Sequence, residues 1–179
     1  MSILRFDVRV VPPAEPAAER ALEASQLLAA GDRAGAERLY AEAMALPVAH
    51  ASGLVNLAAL GVGLGDWSTA RTYATRALQM DRANADAWVN LGAASWHAGL
   101  RRDAAQATHR AVELARGMEA AALNLNLMLQ SVGQPERARD MLARAVSRNP
   151  GSIRLQQAMA EVCRLLGDTE ATRRHALAA

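Results

Sequence analysis

Glycine recurs at Gly31, Gly65, Gly99, Gly133 and Gly167, a constant spacing of 34 residues. A fixed period of this length marks a chain built from stacked copies of one small unit, and it fixes the fold before any local reading begins. With each glycine at position 15, the units run 17–50, 51–84, 85–118, 119–152 and 153–179, the last truncated. Other small residues fall into the same register. Position 20 is Ala36, Ala70, Ala104, Ala138 and Thr172; position 27 is Ala43, Ala77, Ala111 and Ala145. Position 8 is Ala24, Ala58, Gly92, Asn126 and Ala160, and position 7 carries Leu57, Leu91, Leu125 and Met159 as apolar filling.

Each column has a physical cause. Residues 1–14 and 17–30 of a unit read as two helices, and the glycine between them takes the left-handed conformation that ends the first at no steric cost. Asp32, Asp66 and Asp168 follow directly, where a carboxylate caps the next helix; Pro135 stands at a first helical position, where its missing N–H costs nothing. The small columns let helices and successive units approach closely. Composition agrees: aromatics are 3 %, so the core is built of Ala and Leu, which favours close-packed helices over a sandwich or barrel.

Charge excludes several functions. All 20 basic residues are Arg, so Schiff-base lysines and the phosphate loop ending in Lys are ruled out. The 18 acidic residues are interleaved with the Arg, leaving no basic tract for nucleic acid. The single Cys163 forms no internal disulfide and reads as a small buried residue. No apolar run is long enough to span a membrane, and Arg5, Asp7 and Arg9 interrupt any leader at the start, so no membrane insertion and a cytoplasmic location are expected. His50, His97, His109 and His175 lack metal-ligand spacing, and no nucleophile–base pair or phosphate loop occurs. The expectation is a chain without cofactor, metal or catalysis.

The third unit, AWVNLGAASWHAGLRRDAAQATHRAVEL, carries Trp88, Leu91, Gly92, Ala104 and Ala111, and the fourth ends at Pro150. These residues resemble the tetratricopeptide repeat, over residues 17–179. The resemblance implies an all-α, right-handed solenoid of about five helix-turn-helix units, with positions 2, 5, 6, 9, 12 and 13 of each first helix lining its concave side. The chain departs from that pattern at position 11, usually Tyr and here Leu27, Gly61, Ser95, Leu129 and Cys163; position 24 is aromatic only at Tyr40. The polar last unit is expected to cap the array, since stacked repeats bury a core only against neighbours.

Position 6 is the most informative column: Asn56, Asn90 and Asn124 stand in three successive units. A carboxamide offers an acceptor and two donors, so repeated Asn can pair with the N–H and C=O of an extended peptide whatever its sequence. The column resembles the asparagine ladder in the repeat arrays of O-linked N-acetylglucosamine transferases. Val55, Val89 and Leu123 at position 5, Leu127, Trp96, His97 and Gln130 at positions 9, 12 and 13, and Arg154 and Arg164 complete the candidate peptide-binding face. The same Asn residues could instead bond the neighbouring unit; the two roles are compatible. The two-carboxylate clamp of some tetratricopeptide proteins does not fit, because its basic residues at positions 2 and 5 are missing.

Residues 1–16 lie outside the repeat as an arm and Pro-rich linker. Leu4, Phe6, Val8 and Val10 alternate with Arg5, Asp7 and Arg9, the period of a strand with one apolar face. A lone strand cannot satisfy itself. It is disordered, pairs with another copy, joins a partner's sheet or lies along the array, and Leu4, Phe6, Val8 and Val10 are its candidate contacts. The leading expectation is a scaffold or chaperone that binds an extended segment of a protein partner. The alternatives are a self-assembling homo-oligomer and an accessory subunit of a glycosyltransferase or secretion complex.

Overall fold

The computed structural model describes residues 6–115 and 118–179. Ten helices stand among them: α1 (Pro16–Ala29), α2 (Arg33–Ala45), α3 (Ala51–Leu64), α4 (Trp67–Met80), α5 (Ala85–His97), α6 (Arg101–Leu114), α7 (Glu119–Ser131), α8 (Pro135–Arg148), α9 (Ile153–Leu165) and α10 (Thr169–Ala178). No strand occurs among the described residues. The five periodic glycines all have positive φ, between 72° and 90°. At the first of them the Asp32 N–H reaches back to the Leu27 carbonyl and the Gly31 N–H to Leu28, the paired bonds that close a helix through a left-handed residue. The same pair recurs at Gly65, Gly99, Gly133 and Gly167. Asp32, Asp66 and Asp168 then cap the following helices through the N–H groups of Gly35, Thr69 and Ala171. Asn84 and Ser152 do the same for α5 and α9.

The chain forms two compact units: residues 8–111, and residues 112–179 with the start of the arm to Asp7. In the first unit α1 packs on α2 and α3, and α3 and α4 both pack on α5. One core cluster there joins Ala21, Ala24, Ala36, Tyr40, Ala43, Leu57, Leu60 and Leu64. Tyr40 accounts for the glycine at position 11 of the second repeat. A Cβ added at Gly61 would lie 2.8 Å from the Tyr40 hydroxyl, so the phenol of one repeat uses the space that a side chain of the next would fill. Burial holds the Tyr40 hydroxyl protonated well above the usual tyrosine range. Gly92 is equally constrained, with the Thr108 hydroxyl seated where its Cβ would be.

In the second unit α7 packs on α8, α9 packs on α7 and α8, and α10 packs on α9. Its core gathers Leu125, Ala138, Met141, Leu142, Leu155, Met159, Val162 and Cys163. Helix α10 buries no residue completely, and Leu177 is 82 % exposed, the composition of a solvated end. Among the described residues no helix is long and apolar enough to cross a membrane, and no group of three metal-ligating side chains assembles.

Candidate peptide groove and its extended arm

Position 6 of a first helix lies beside the tightly packed positions 7 and 8, so Asn56, Asn90 and Asn124 are held on α3, α5 and α7 with 0 % exposure. A carboxamide so buried needs partners for all its polar atoms. The arm supplies them. In the first unit the Arg9 N–H donates to Asn90 Oδ1 at 2.6 Å, and Asn90 Nδ2 donates back to the Arg9 carbonyl at 2.8 Å. The Val11 N–H and carbonyl pair in the same way with Asn56, at 2.8 and 2.9 Å. In the second unit the Asp7 N–H and carbonyl pair with Asn124, both at 2.7 Å. Each Asn thus binds one residue as a neighbouring antiparallel strand would, exchanging both main-chain bonds with it.

Only extended backbone presents the N–H and C=O of alternate residues to one side. Its rise of about 3.3 Å per residue sets the Arg9 and Val11 pairs about 6.6 Å apart. The amides have a second duty. Asn90 Nδ2 also donates to the Val55 carbonyl at 3.0 Å, and Asn56 Nδ2 reaches the Ala18 carbonyl at 3.5 Å, so these side chains brace the preceding repeat while holding the arm.

Charged side chains of the arm meet charges of opposite sign. Arg9 Nε donates to Asp86 at 2.7 Å, four residues before Asn90 on α5. Asp7 accepts from Arg154 Nη2 at 2.7 and 2.8 Å. Arg154 is steadied by Glu119 at 3.1 Å, whose carboxylate accepts the Ser152 hydroxyl. Val11 packs on the cluster of Leu54, Val55, Ala77, Leu78 and Ala87. Phe6 is buried, Val8 and Val10 are half-buried, and Leu4 lies outside the described residues. After Val11 the chain is exposed at Pro12, Pro13 and Ala14. Glu15 then accepts the Ala49 N–H at 2.8 Å as the first helix begins.

The remaining candidates divide into four groups. Leu123, Leu127, Gln130 and Arg154 line a cavity of about 370 Å³ in the second unit, together with Asp7, Asn124 and Glu161. Val55 and Val89 are 0 % exposed and belong to the packed interior rather than to a free surface. Trp96 is 6 % exposed with the Arg101 guanidinium 3.9 Å over its ring, and His97 stacks on Trp67 at 5.4 Å. Burial, with Arg101 second, pulls the His97 pKa down. Arg164 pairs with Glu161 one turn earlier on its own helix. Reading the sequence by column missed Asp86 and Glu119. Position 2 reads Ala18, Ser52, Asp86, Ala120 and Arg154, so one basic residue does stand in the column read as lacking them, and scanning it only for a carboxylate clamp passes over an acid that pairs with the arm.

No family model matches the chain, and no curated relative matches it. Solved structures do. A crystal structure of MamA superposes with a TM-score of 0.67 at 22 % identity, covering 87 % of this chain and 91 % of that one. TTC0263, described as a thermophilic tetratricopeptide protein of Thermus thermophilus, gives 0.69 at 16 % identity over 89 % and 87 %. PilF of Pseudomonas aeruginosa gives 0.68 at 17 % identity over 90 % and 73 %. The shared element is the fold: paired helices repeated at a constant period.

Proposed function

We propose that this chain, a tetratricopeptide-repeat fold, is a non-enzymatic scaffold whose asparagine column holds the backbone of an extended protein segment. Its own arm fills that place until a partner segment replaces it. The observation that carries this reading is the repeated two-bond pairing of Asn56, Asn90 and Asn124 with alternate arm residues. Backbone recognition of this kind asks for an extended segment with free main-chain groups and takes the place of a strand added to a sheet edge.

The arm is held by few contacts: six main-chain hydrogen bonds to the asparagines, two part-exposed ion pairs and the burial of Phe6. Each such hydrogen bond contributes only about 0.5–1.5 kcal/mol net, and another extended segment offers the same main-chain groups.

The test opens the groove without shortening the chain. Asp7→Pro, Arg9→Pro and Val11→Pro together remove the three donors that the asparagines accept. A fluorescein-labelled peptide of residues 6–13 should bind this variant and bind the wild type far more weakly, by fluorescence anisotropy. If the opened chain, confirmed folded by circular dichroism, ignores the peptide, the reading is lost.

A second reading follows from the same pairing. Any contact complete within one chain forms equally between two, so the arm exchanged across the exposed Pro12–Pro13 linker would join copies. Light-scattering mass that rises with concentration, and falls back in the triple proline variant, supports arm exchange; a constant monomer mass removes it.

A further inference from the structure

The backbone pairing is blind to sequence, but the side chains beside it are not. Because Arg9 and Val11 turn the same backbone edge to the asparagines of the 8–111 unit, their side chains fall on one face of the arm there, with Val8 and Val10 on the other. On that face the protein meets a base with an acid and an aliphatic residue with an apolar cluster; in the 112–179 unit it meets an acid with a base. Arg154 takes Asp7, Asp86 takes Arg9, and Val11 packs against the apolar cluster that holds Leu54, Val55 and Leu78. Both charges come from position 2, separated by two 34-residue periods, while the other three units have Ala or Ser there. Asp86 shares a helix with the asparagine that it assists, and Arg154 belongs to the repeat after Asn124. Arg154 is also oriented before any ligand arrives, since Glu119 holds its other nitrogen.

We infer that the asparagine rungs select their occupant by charge: in the 8–111 unit the Asn90 rung takes a basic residue and the Asn56 rung, two residues on, an aliphatic one, while in the 112–179 unit the Asn124 rung takes an acidic residue. The inference rests on the peptide-binding reading above and names its ligand chemistry. The arm is the internal copy of that ligand, and a partner segment with the same pattern competes for the same rungs.

The opened chain, with its three arm prolines, separates the two ideas. It is titrated with the labelled peptide of residues 6–13 and with a counterpart in which the aspartate and arginine exchange places. Both ion pairs are part-exposed, and each contributes modestly in water. Exchange turns two attractions into two repulsions, so the counterpart should bind about tenfold more weakly at low salt, with the gap narrowing at 0.5 M salt. Adding Asp86→Arg should reduce the gap or reverse it. Equal binding of both peptides overturns charge selection and leaves the scaffold reading standing; binding of neither overturns both. Should the proline variant fail to fold, hydrogen exchange on the intact chain gives the answer. In the wild type the amides of residues 7, 9 and 11 should exchange more slowly than those of 8 and 10. Arg9→Asp should then speed exchange at residue 9 by about tenfold. Unchanged protection at residue 9 overturns charge selection, and no alternation in the wild type overturns the ladder.

Discussion

The first and second helices of the repeats are built for different surroundings. Helix α3 buries Gly53 to Val62 without a break, and α5 buries Ala87, Val89, Asn90 and the run Gly92–Trp96. Their partners α4 and α6 bury one stripe each: Ala70, Ala74, Ala77 and Leu78, and Ala104, Ala107, Thr108 and Ala111. A helix buried all round needs cover on every side. In the 8–111 unit α3 and α5 have neighbouring helices on several sides, and the arm joins them at Asn56 and Asn90. The second helices end their burial at solvent. The difference teaches that the first-helix face of this unit is finished by an extended segment, supplied here by the chain itself.

Substitutions on the two kinds of helix sharpen the contrast. The largest effect is expected at Asn90, whose Ala variant strands the Arg9 N–H and carbonyl and one bond to the Val55 carbonyl. Leaving such groups unpaired costs about 2–4 kcal/mol. Urea denaturation with an unmoved midpoint would mean that the amide is solvated rather than buried. On the second helices, Ala104→Leu pushes a larger side chain into a fully buried stripe beside Gly92 and should cost about 1–3 kcal/mol. An Ala104→Leu chain as stable as wild type would show that the two helices stand further apart than described. Asp66→Ala removes the cap on the Thr69 N–H and should cost about 1 kcal/mol. Gln106→Ala, on the exposed side of α6, should stay within about 0.5 kcal/mol of wild type.

Much of this was legible in the sequence. The period set helix limits of 51–64, 67–80 and 135–148, and α3, α4 and α8 have those bounds. It was legible because glycine, caps and small residues act locally, and each reports one fixed place in the repeat. The asparagine column was equally visible, but its occupant was not. Asp7, Arg9 and Val11 are 117, 81 and 45 residues from their partners. Nothing local distinguishes a strand that docks on its own repeats from one that joins another molecule. The clue was chemical complementarity between two distant places: alternating charges in the arm and opposite charges at position 2. Val55 and Val89 mark another limit, since an apolar residue next to a groove position reads the same whether it lines the groove or the packed layer behind it.

The smallest effect expected concerns the junction between the two helix types, where His97 ends α5 and stacks on Trp67 at the start of α4. Burial, then the nearby Arg101 charge, lowers its pKa in the folded chain. The unfolded histidine titrates near 6.5. Above about pH 6.5 both states are neutral there, and this residue makes no pH-dependent contribution. As pH falls through about 6.5 the unfolded chain takes up the proton first, so stability declines, and the decline levels off once the folded histidine also charges. His175 on α10 is lowered in the same direction, by burial first and Arg174 second. The wild-type denaturation midpoint should therefore drop between pH 8 and pH 5.5. His97→Phe keeps the ring stack, removes the proton and should flatten part of that slope. A slope identical in both proteins would place the proton elsewhere and cut the stacked junction out of the pH response, leaving His175 to account for it.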